Sequence, residues 1–576
     1  MPPKERIGRA VRRFFLRQVV RRAKRQVRAL PRRSRKALRI AITYAETAAA
    51  VSQDQQKNPE RALVWLQDAA RRSPSDMRVA KLQAQVMSRT GRLEHALGEA
   101  SRLAIETGDP RNVRLQRLLQ GRWADTDAAW RPVVPGPAPV LEPLPQRVLY
   151  LAKESMPHLN NGYCTRTHET LLALKGIGRE PVAVTLPGFP GLRSHPLDDP
   201  VGSPAEPVSR VDEIEYHHVL PGAQALLDHL SWEEYVQMTT TAFAREVIRV
   251  RPAILHAGSG HRGYDIGAVG RALSQWAGLP WLYEVRSFFE TTWTADERYA
   301  ESAQYYHRRF AAESRAMQAA DAVVTLSGPM RAEIVGQHGV DPEKVFVIPN
   351  AVDLDRFSRD PQAAPCDRQM RTRLGLDGTF VLGYISNLDH YREGQEVLLE
   401  AAAALRAQGH EVSVLLVGEG RRRVRLQEQA HELGLGLHAV FPGNVPFDEV
   451  PAWYSQIDLF VVPRIPERAG RMVSPMKPFE AMAMRVPVMV SDLPALVEIA
   501  GPQEERAFVF EAGHPASLAA AVARLMDHPE ALAQRVRNAE AWVRAERTWE
   551  RNGRAFGEVY RFAAEQHAQR AQPVVA

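Results

Sequence analysis

The stretch VSPMKPFEAMAMRVPVMVSD, residues 473–492, carries a turn, a helix and a strand in immediate succession. Pro478 and Glu480 suit a first helical turn, where a missing N–H is harmless and an acid is favoured. Alanine and methionine fill the helix that follows. VPVMVS (486–491) then leaves as a continuous apolar run, the mark of a strand covered on both faces. A lysine and a glutamate three apart, Lys477 and Glu480, stand at the mouth of that helix.

The same alternation extends through most of the chain. RVLYLA (147–152), PVAVTL (181–186), AILHAG (253–258), WLYEVR (281–286), AVVTLS (322–327) and VFVIPN (345–350) form one series. VLGYIS (381–386), VSVLLVG (412–418), AVFPG (439–443), LFVVP (459–463), VPVMVS and FVFEA (508–512) form a second. Short apolar runs separated by helical stretches predict parallel sheets. Two series predict an α/β protein of two Rossmann-like, doubly wound domains facing across a cleft, preceded by an α-helical region. Ligands of such sheets bind at the carboxyl ends of the strands.

The flanks differ in kind. The 576 residues exceed one hydrophobic core and carry a net charge of +8. Residues 1–40 hold 16 Lys and Arg against one acid, a net of +15 that leaves −7 on the remainder. Within this arm Ile7, Val11, Phe14, Phe15, Val19, Ala23, Val27 and Leu30 recur at three- and four-residue steps. A basic helix with an apolar stripe suits an anionic membrane surface. Phosphates of nucleic acid would attract the same charge, and a solvated helix packed on the body is a third reading. The adjacent phenylalanines favour the membrane, and no nucleic acid is expected. Residues 46–130 read as a helical module whose segments align at a 34-residue offset, Ala62 with Ala96 and Leu63 with Leu97, a tetratricopeptide-like period that suits either packing or a protein partner. RPVVPGPAPVLEPLPQ (131–146) is a Pro-rich linker. The boundaries expected are 1–45 for the arm, 46–130, 131–146, 147–365 and 366–545 for the two sheets, and 546–576 for a helix packing back across them. Two cysteines, Cys164 and Cys366, fit a reduced compartment. No apolar run is long enough to span a membrane and no signal core opens the chain, so a cytoplasmic protein lying on the inner membrane face is expected.

The motifs together resemble retaining glycosyltransferases of family 4, which have the GT-B fold. NNGYCTRTHETLLALKGIG, LYEVRSFFE, AADAVVTLSGPM and VIPNAVDLDRF carry the likeness in the first domain. VLGYISNLDHYREGQEVLLEAAAAL, VLLVGEGRRRVRLQEQA, VFPGNVPFDEVPAWYSQIDLFVVPR and SPMKPFEAMAMRVPVMVSDLPALVEIA carry it in the second. The segments GYxxRT and YEVRxFxE are similar to a bacterial subgroup.

The resemblance implies transfer of a hexosyl group from a nucleotide-diphosphate sugar to a lipid-linked or surface-polysaccharide acceptor, without metal or cofactor. Ser474, Pro475 and Met476 would form the diphosphate loop, Lys477 would neutralise the leaving diphosphate, and Glu480 would accept the ribose hydroxyls. Phe479, Asn387, Arg392, Arg464 and Gly162 join the expected donor site. Arg286, at the end of WLYEVR, is expected to hold substrate or phosphate, with an ion pair to Glu284 or Glu290 as its alternative. Asn161, Arg166, Glu290 and His256 are assigned to the acceptor side of the cleft, and Asn350 and Asp353 to the hinge. Two departures stand out. The family's first glutamate, eight before Glu480, is Met472, and its usual Arg and Lys fall near Asn387 and Glu393. These losses keep open a second reading, a nucleotide-sugar-binding scaffold that recruits partners through its helical module.

Overall fold

The computed structural model describes residues 42–43, 45–47, 58–190, 207–219, 230–294, 296–359 and 367–571. The basic arm and Cys366 lie outside them. Residues 1–133, 223–240 and 289–313 group as one compact unit, and the rest of the chain as another.

In the first unit four helices follow one another: α1 (Pro59–Arg72), α2 (Met77–Arg89), α3 (Leu93–Thr107) and α4 (Pro110–Ala124). The starts of α1 and α3 repeat the 34-residue offset of the sequence. Their buried residues repeat it too, with Ala62, Leu66 and Ala69 answered by Ala96, Ala100 and Leu103. Asn58, Asp76 and Asp109 cap α1, α2 and α4 by accepting from the backbone N–H groups of Arg61, Arg78 and Arg111.

The second unit contains two sheets. The first is ordered β3-β4-β2-β1-β5-β6-β7-β8. Along the chain come β1 (Leu144–Ala152), α5 (Gly162–Gly176), β2 (Glu180–Thr185), β3 (Val208–Val211), β4 (Ile214–His218), α6 (Trp232–Val250), β5 (Pro252–Gly258), α7 (Tyr264–Ala277), β6 (Trp281–Val285), α8 (Gln304–Ala319), β7 (Ala322–Thr325), α9 (Gly328–Gly336) and β8 (Val345–Val347), the first turns of α6 and α8 being grouped with the first unit. All ladders are parallel except the β3–β4 hairpin. β1 starts at Leu144, inside the stretch read from sequence as linker.

The second sheet is ordered β11-β10-β9-β12-β13-β14 and is wholly parallel. Its elements are β9 (Phe380–Ile385), α10 (Gln395–Ala407), β10 (Val412–Val417), α11 (Arg423–Glu432), β11 (Ala439–Gly443), β12 (Leu459–Val462), α12 (Arg468–Met472), α13 (Lys477–Ala483), β13 (Val488–Ser491), α14 (Pro494–Ala500), β14 (Phe508–Phe510), α15 (Pro515–Asp527) and α16 (Pro529–Glu546). The last helix, α17 (Trp549–Ala571), returns to the first lobe. Its Phe556, Val559, Tyr560 and Ala563 are buried in one cluster with Tyr150 of β1 and Leu171 of α5.

Strand order reverses between β1 and β5 in one lobe and between β9 and β12 in the other. Loops from the two sides of such a point diverge and leave a crevice at the carboxyl ends of the strands. The residues that matter below lie on those loops. Among the described residues no helix is long and apolar enough to cross a membrane.

Candidate donor site at the paired switch points

Lys477 and Glu480 lie on one face of α13 and pair, with Lys477 Nζ at 3.1 and 3.3 Å from the two Glu480 carboxylate oxygens. Tyr454 Oη donates to Glu480 Oε2 at 2.8 Å. Burial and then the Glu480 carboxylate push that phenol well above its usual range, so it stays a donor. The glutamate is almost wholly covered, whereas the Lys477 side chain is 30% exposed. α13 spans only seven residues, so the ammonium rather than a long helix dipole is the local positive charge.

The opposing wall comes from the loop after β1. Asn161 caps α5, its Oδ1 accepting from Tyr163 N and Cys164 N at 2.9 Å while its Nδ2 donates to Glu154 at 2.8 Å. Gly162 follows, and a Cβ there would come within 3.3 Å of Met476 Cε. The two loops singled out by sequence therefore face each other. A narrow crevice, partly open to solvent, is lined by Met476, Glu480, Thr165, Glu169, Asp353, Arg356 and Phe447 among others. Burial, then the Asp353 carboxylate, pushes Glu169 up to about 7. Asp353 also fixes the hinge turn by accepting from the N–H groups of Asp355 and Arg356.

Several expected ligands are committed elsewhere. Arg286 is buried, and its five donor positions are taken: Glu284, Tyr150, Thr167 Oγ1 and the carbonyl of Tyr163 accept them. It has no N–H left for a phosphate, and the ion pair with Glu284 is its role. Arg166 is buried beside it, donating to Glu284 Oε1 at 2.8 Å, to the carbonyls of Ile348 and Pro349, and to Asn350 Oδ1. It braces the hinge and does not face the cleft. Burial alone would push the Glu284 carboxyl up, but the Arg286 and Arg166 guanidiniums outweigh it and hold the group well below its usual range.

His256 is fully buried, with Nδ1 at 2.8 Å from Tyr560 Oη of α17 and Nε2 at 3.3 Å from Glu284 Oε2, so it supports the lobe rather than lining the cleft. Phe479 points into the core of the second lobe and lies against Trp542. Glu290 is buried and falls in the other compact unit.

At the second switch point Arg464 pairs with Glu393, its Nε and Nη2 at 3.1 and 3.0 Å from the two carboxylate oxygens. Tyr384 Oη donates to the same carboxylate. Burial opposes the charge on Glu393, yet Arg464 and Arg392 bring the carboxyl down to about 2. Gly394 makes the approach feasible: its φ is +68°, and a Cβ would sit 1.8 Å from the Pro463 carbonyl. Arg392 remains half-buried with Nε 3.5 Å from Glu393, and exposed Asn387 closes its own turn by accepting from Asp389 N.

Each lobe is similar to known domains. Residues 161–351 match the family model described as Glycosyl transferase 4-like domain, and residues 379–528 match Glycosyl transferases group 1. A solved sucrose-phosphate synthase from Thermosynechococcus elongatus superposes with a TM-score of 0.56 at 20% identity, covering 72% of this chain and 98% of that one. Anabaena HepE in complex with UDP-glucose gives 0.53 at 17% identity, covering 72% and 98%. The paired lobes have the GT-B fold. Among curated proteins, 2-deoxystreptamine glucosyltransferase of Streptomyces kanamyceticus is 28% identical over 40% of this chain and 58% of its own. A GDP-mannose-dependent alpha-(1-6)-phosphatidylinositol monomannoside mannosyltransferase of Mycolicibacterium smegmatis is 35% identical over 25% and 37%. The chain thus spans between about a third and three fifths of these relatives' lengths.

The sequence reading overlooked Ser327 and the partner of Glu393. Ser327 closes AVVTLS and opens the next helix, an N-cap signal that says nothing of a second bond across the cleft.

Proposed function

We propose that the GT-B pair transfers a hexosyl group from a nucleotide-diphosphate sugar to a hydroxyl acceptor. The donor would sit against the second lobe and the acceptor against the first. The acceptor oxygen forms the new bond to the anomeric carbon as the bond to the diphosphate oxygen breaks, and the hydroxyl proton leaves on the departing diphosphate. Retention of configuration and independence from metal are part of the reading, since a cation on a side chain can neutralise the leaving group. The observation that carries it is the Lys477–Glu480 pair on α13, with Met476 beside it facing Gly162. Glu480, held by Tyr454, would be an acceptor for ribose hydroxyls, and the Lys477 side chain beside it is 30% exposed.

A lipid-linked or surface-glycan acceptor suits the basic arm, which would hold the chain on the inner face of a membrane. The mannosyltransferase relative is named for a phosphatidylinositol substrate, which agrees with that placing. The buried Glu393 favours the alternative of a binding scaffold, because it removes a cation from the first loop of the second lobe.

The test is nucleotide release by the full chain from a panel of UDP-, GDP- and ADP-sugars with lipid and glycan acceptors. One donor should release nucleotide, and Lys477→Ala should slow that release by about 10²-fold. Nucleotide bound but never released would leave the scaffold.

A further inference from the structure

Three successive backbone carbonyls, running from the last residue of α12 into the loop that enters α13, are each held by a buried side chain from a different part of the fold. Ser327 Oγ, beyond β7 of the first lobe, donates to the Met472 carbonyl at 2.7 Å. Arg464 Nη1, beyond β12 of the second lobe, donates to the Val473 carbonyl at 2.8 Å. Asn350 Nδ2, in the hinge, donates to the Ser474 carbonyl at 2.7 Å.

Each donor is itself fixed. Ser327 Oγ accepts from Met330 N at 3.2 Å. Arg464 is locked by Glu393. Asn350 Oδ1 accepts from Arg166 Nη1 at 3.0 Å. The segment is thus tied at once to the first lobe, the second lobe and the hinge.

Resting on the donor reading above, we propose that Ser327, Asn350 and Arg464 are positioning residues that preset loop 472–476 for a nucleotide sugar. Met472 stands where the resembling enzymes carry a glutamate, and here its main chain rather than its side chain is tied down. A loop ordered before binding pays none of its ordering entropy when the donor arrives, so affinity rises without a new contact to the ligand. Misplacing such a loop weakens donor binding even though no residue touching the donor has changed.

The test compares donor KM, kcat and melting temperature of the full chain with those of Ser327→Ala, Ser327→Thr and Asn350→Asp. The last keeps an oxygen toward Arg166 and replaces the donor to Ser474 with a carboxylate oxygen, an acceptor set against that carbonyl. Ser327→Ala and Asn350→Asp should each raise donor KM about tenfold or more through the lost hydrogen bond to the loop, with kcat changed less than about threefold. Ser327→Thr should return KM to within about twofold of the parent. Calorimetric binding of UDP and GDP gives the same comparison for any variant that loses turnover. Wild-type KM in both Ser327→Ala and Asn350→Asp, or loss of folded protein at unchanged KM, overturns the proposal. The outcome separates from the donor reading through Lys477→Ala. If that change leaves nucleotide release intact, the donor reading fails. If it abolishes release while Ser327→Ala and Asn350→Asp bind normally, only the positioning role fails.

Discussion

Glu393 shows how one residue rearranges a site. In the family that the sequence resembles, a lysine falls near this position, where it would meet the leaving diphosphate. Here a carboxylate enters the lobe, takes Arg464 and Tyr384, and turns Arg464 onto the loop at Val473. Restoring a cation would not restore the family's chemistry. Glu393→Lys places two buried positive charges together, and denaturant unfolding should show a loss on the order of 3–5 kcal/mol. Glu169 makes a second prediction. Its folded pKa of about 7 lies above the ordinary 4.5, so the folded state binds the proton more tightly than the unfolded chain. That contribution is fully present below about pH 4.5 and is lost as pH rises through about 7. Glu169→Gln should therefore gain stability on the order of 1–3 kcal/mol at pH 8 and almost none at pH 4, read from melting curves. Some of this was legible beforehand. Glu284 on β6 and Arg286 just beyond its end are two residues apart in extended sequence, so their pairing could be read from a period of two. The third partner, Arg166, is 118 residues away and only the tertiary fold brings it in.

At the scale of elements, patterns of regular period were readable and a turn with unusual residues was not. The quoted apolar runs all became strands because parallel strands buried on both faces need continuous apolar sequence. The 34-residue offset became two helical pairs with the matching faces buried. The β3–β4 hairpin went unread because its two-residue turn is Asp212-Glu213, both at positive φ (46° and 65°), where Asn-Gly is the usual signal. Glu213→Gly should relieve that backbone and raise stability by about 0.5–1 kcal/mol, since its exposed ion pair with Lys175 contributes little. α17 predicts the opposite extreme. Phe556 is wholly buried against the first lobe, and Phe556→Ala should cost about 3–5 kcal/mol by chemical denaturation.

The whole molecule is electrically lopsided, with +15 on residues 1–40 and −7 on the rest. Attraction of that kind is worth about 1 kcal/mol per basic residue near an anionic bilayer and weakens with salt. The full chain should sediment with vesicles rich in phosphatidylglycerol at low salt, and a chain lacking residues 1–40 should stay in the supernatant. Loss of RNA retention with unchanged vesicle binding would favour nucleic acid instead. At this scale the sequence announced two lobes and a returning helix. It could not announce which arginines would be sealed inside them, because burial is a property of the assembled fold.

The return of α17 has a consequence for synthesis. The first lobe's strands emerge from the ribosome early, but Phe556, Val559, Tyr560 and Ala563, which complete its interior, are translated only after every strand of the second lobe. Until then the nascent lobe presents the uncovered apolar flank of α5, so its maturation waits on α17 and the second lobe can fold before the first is finished.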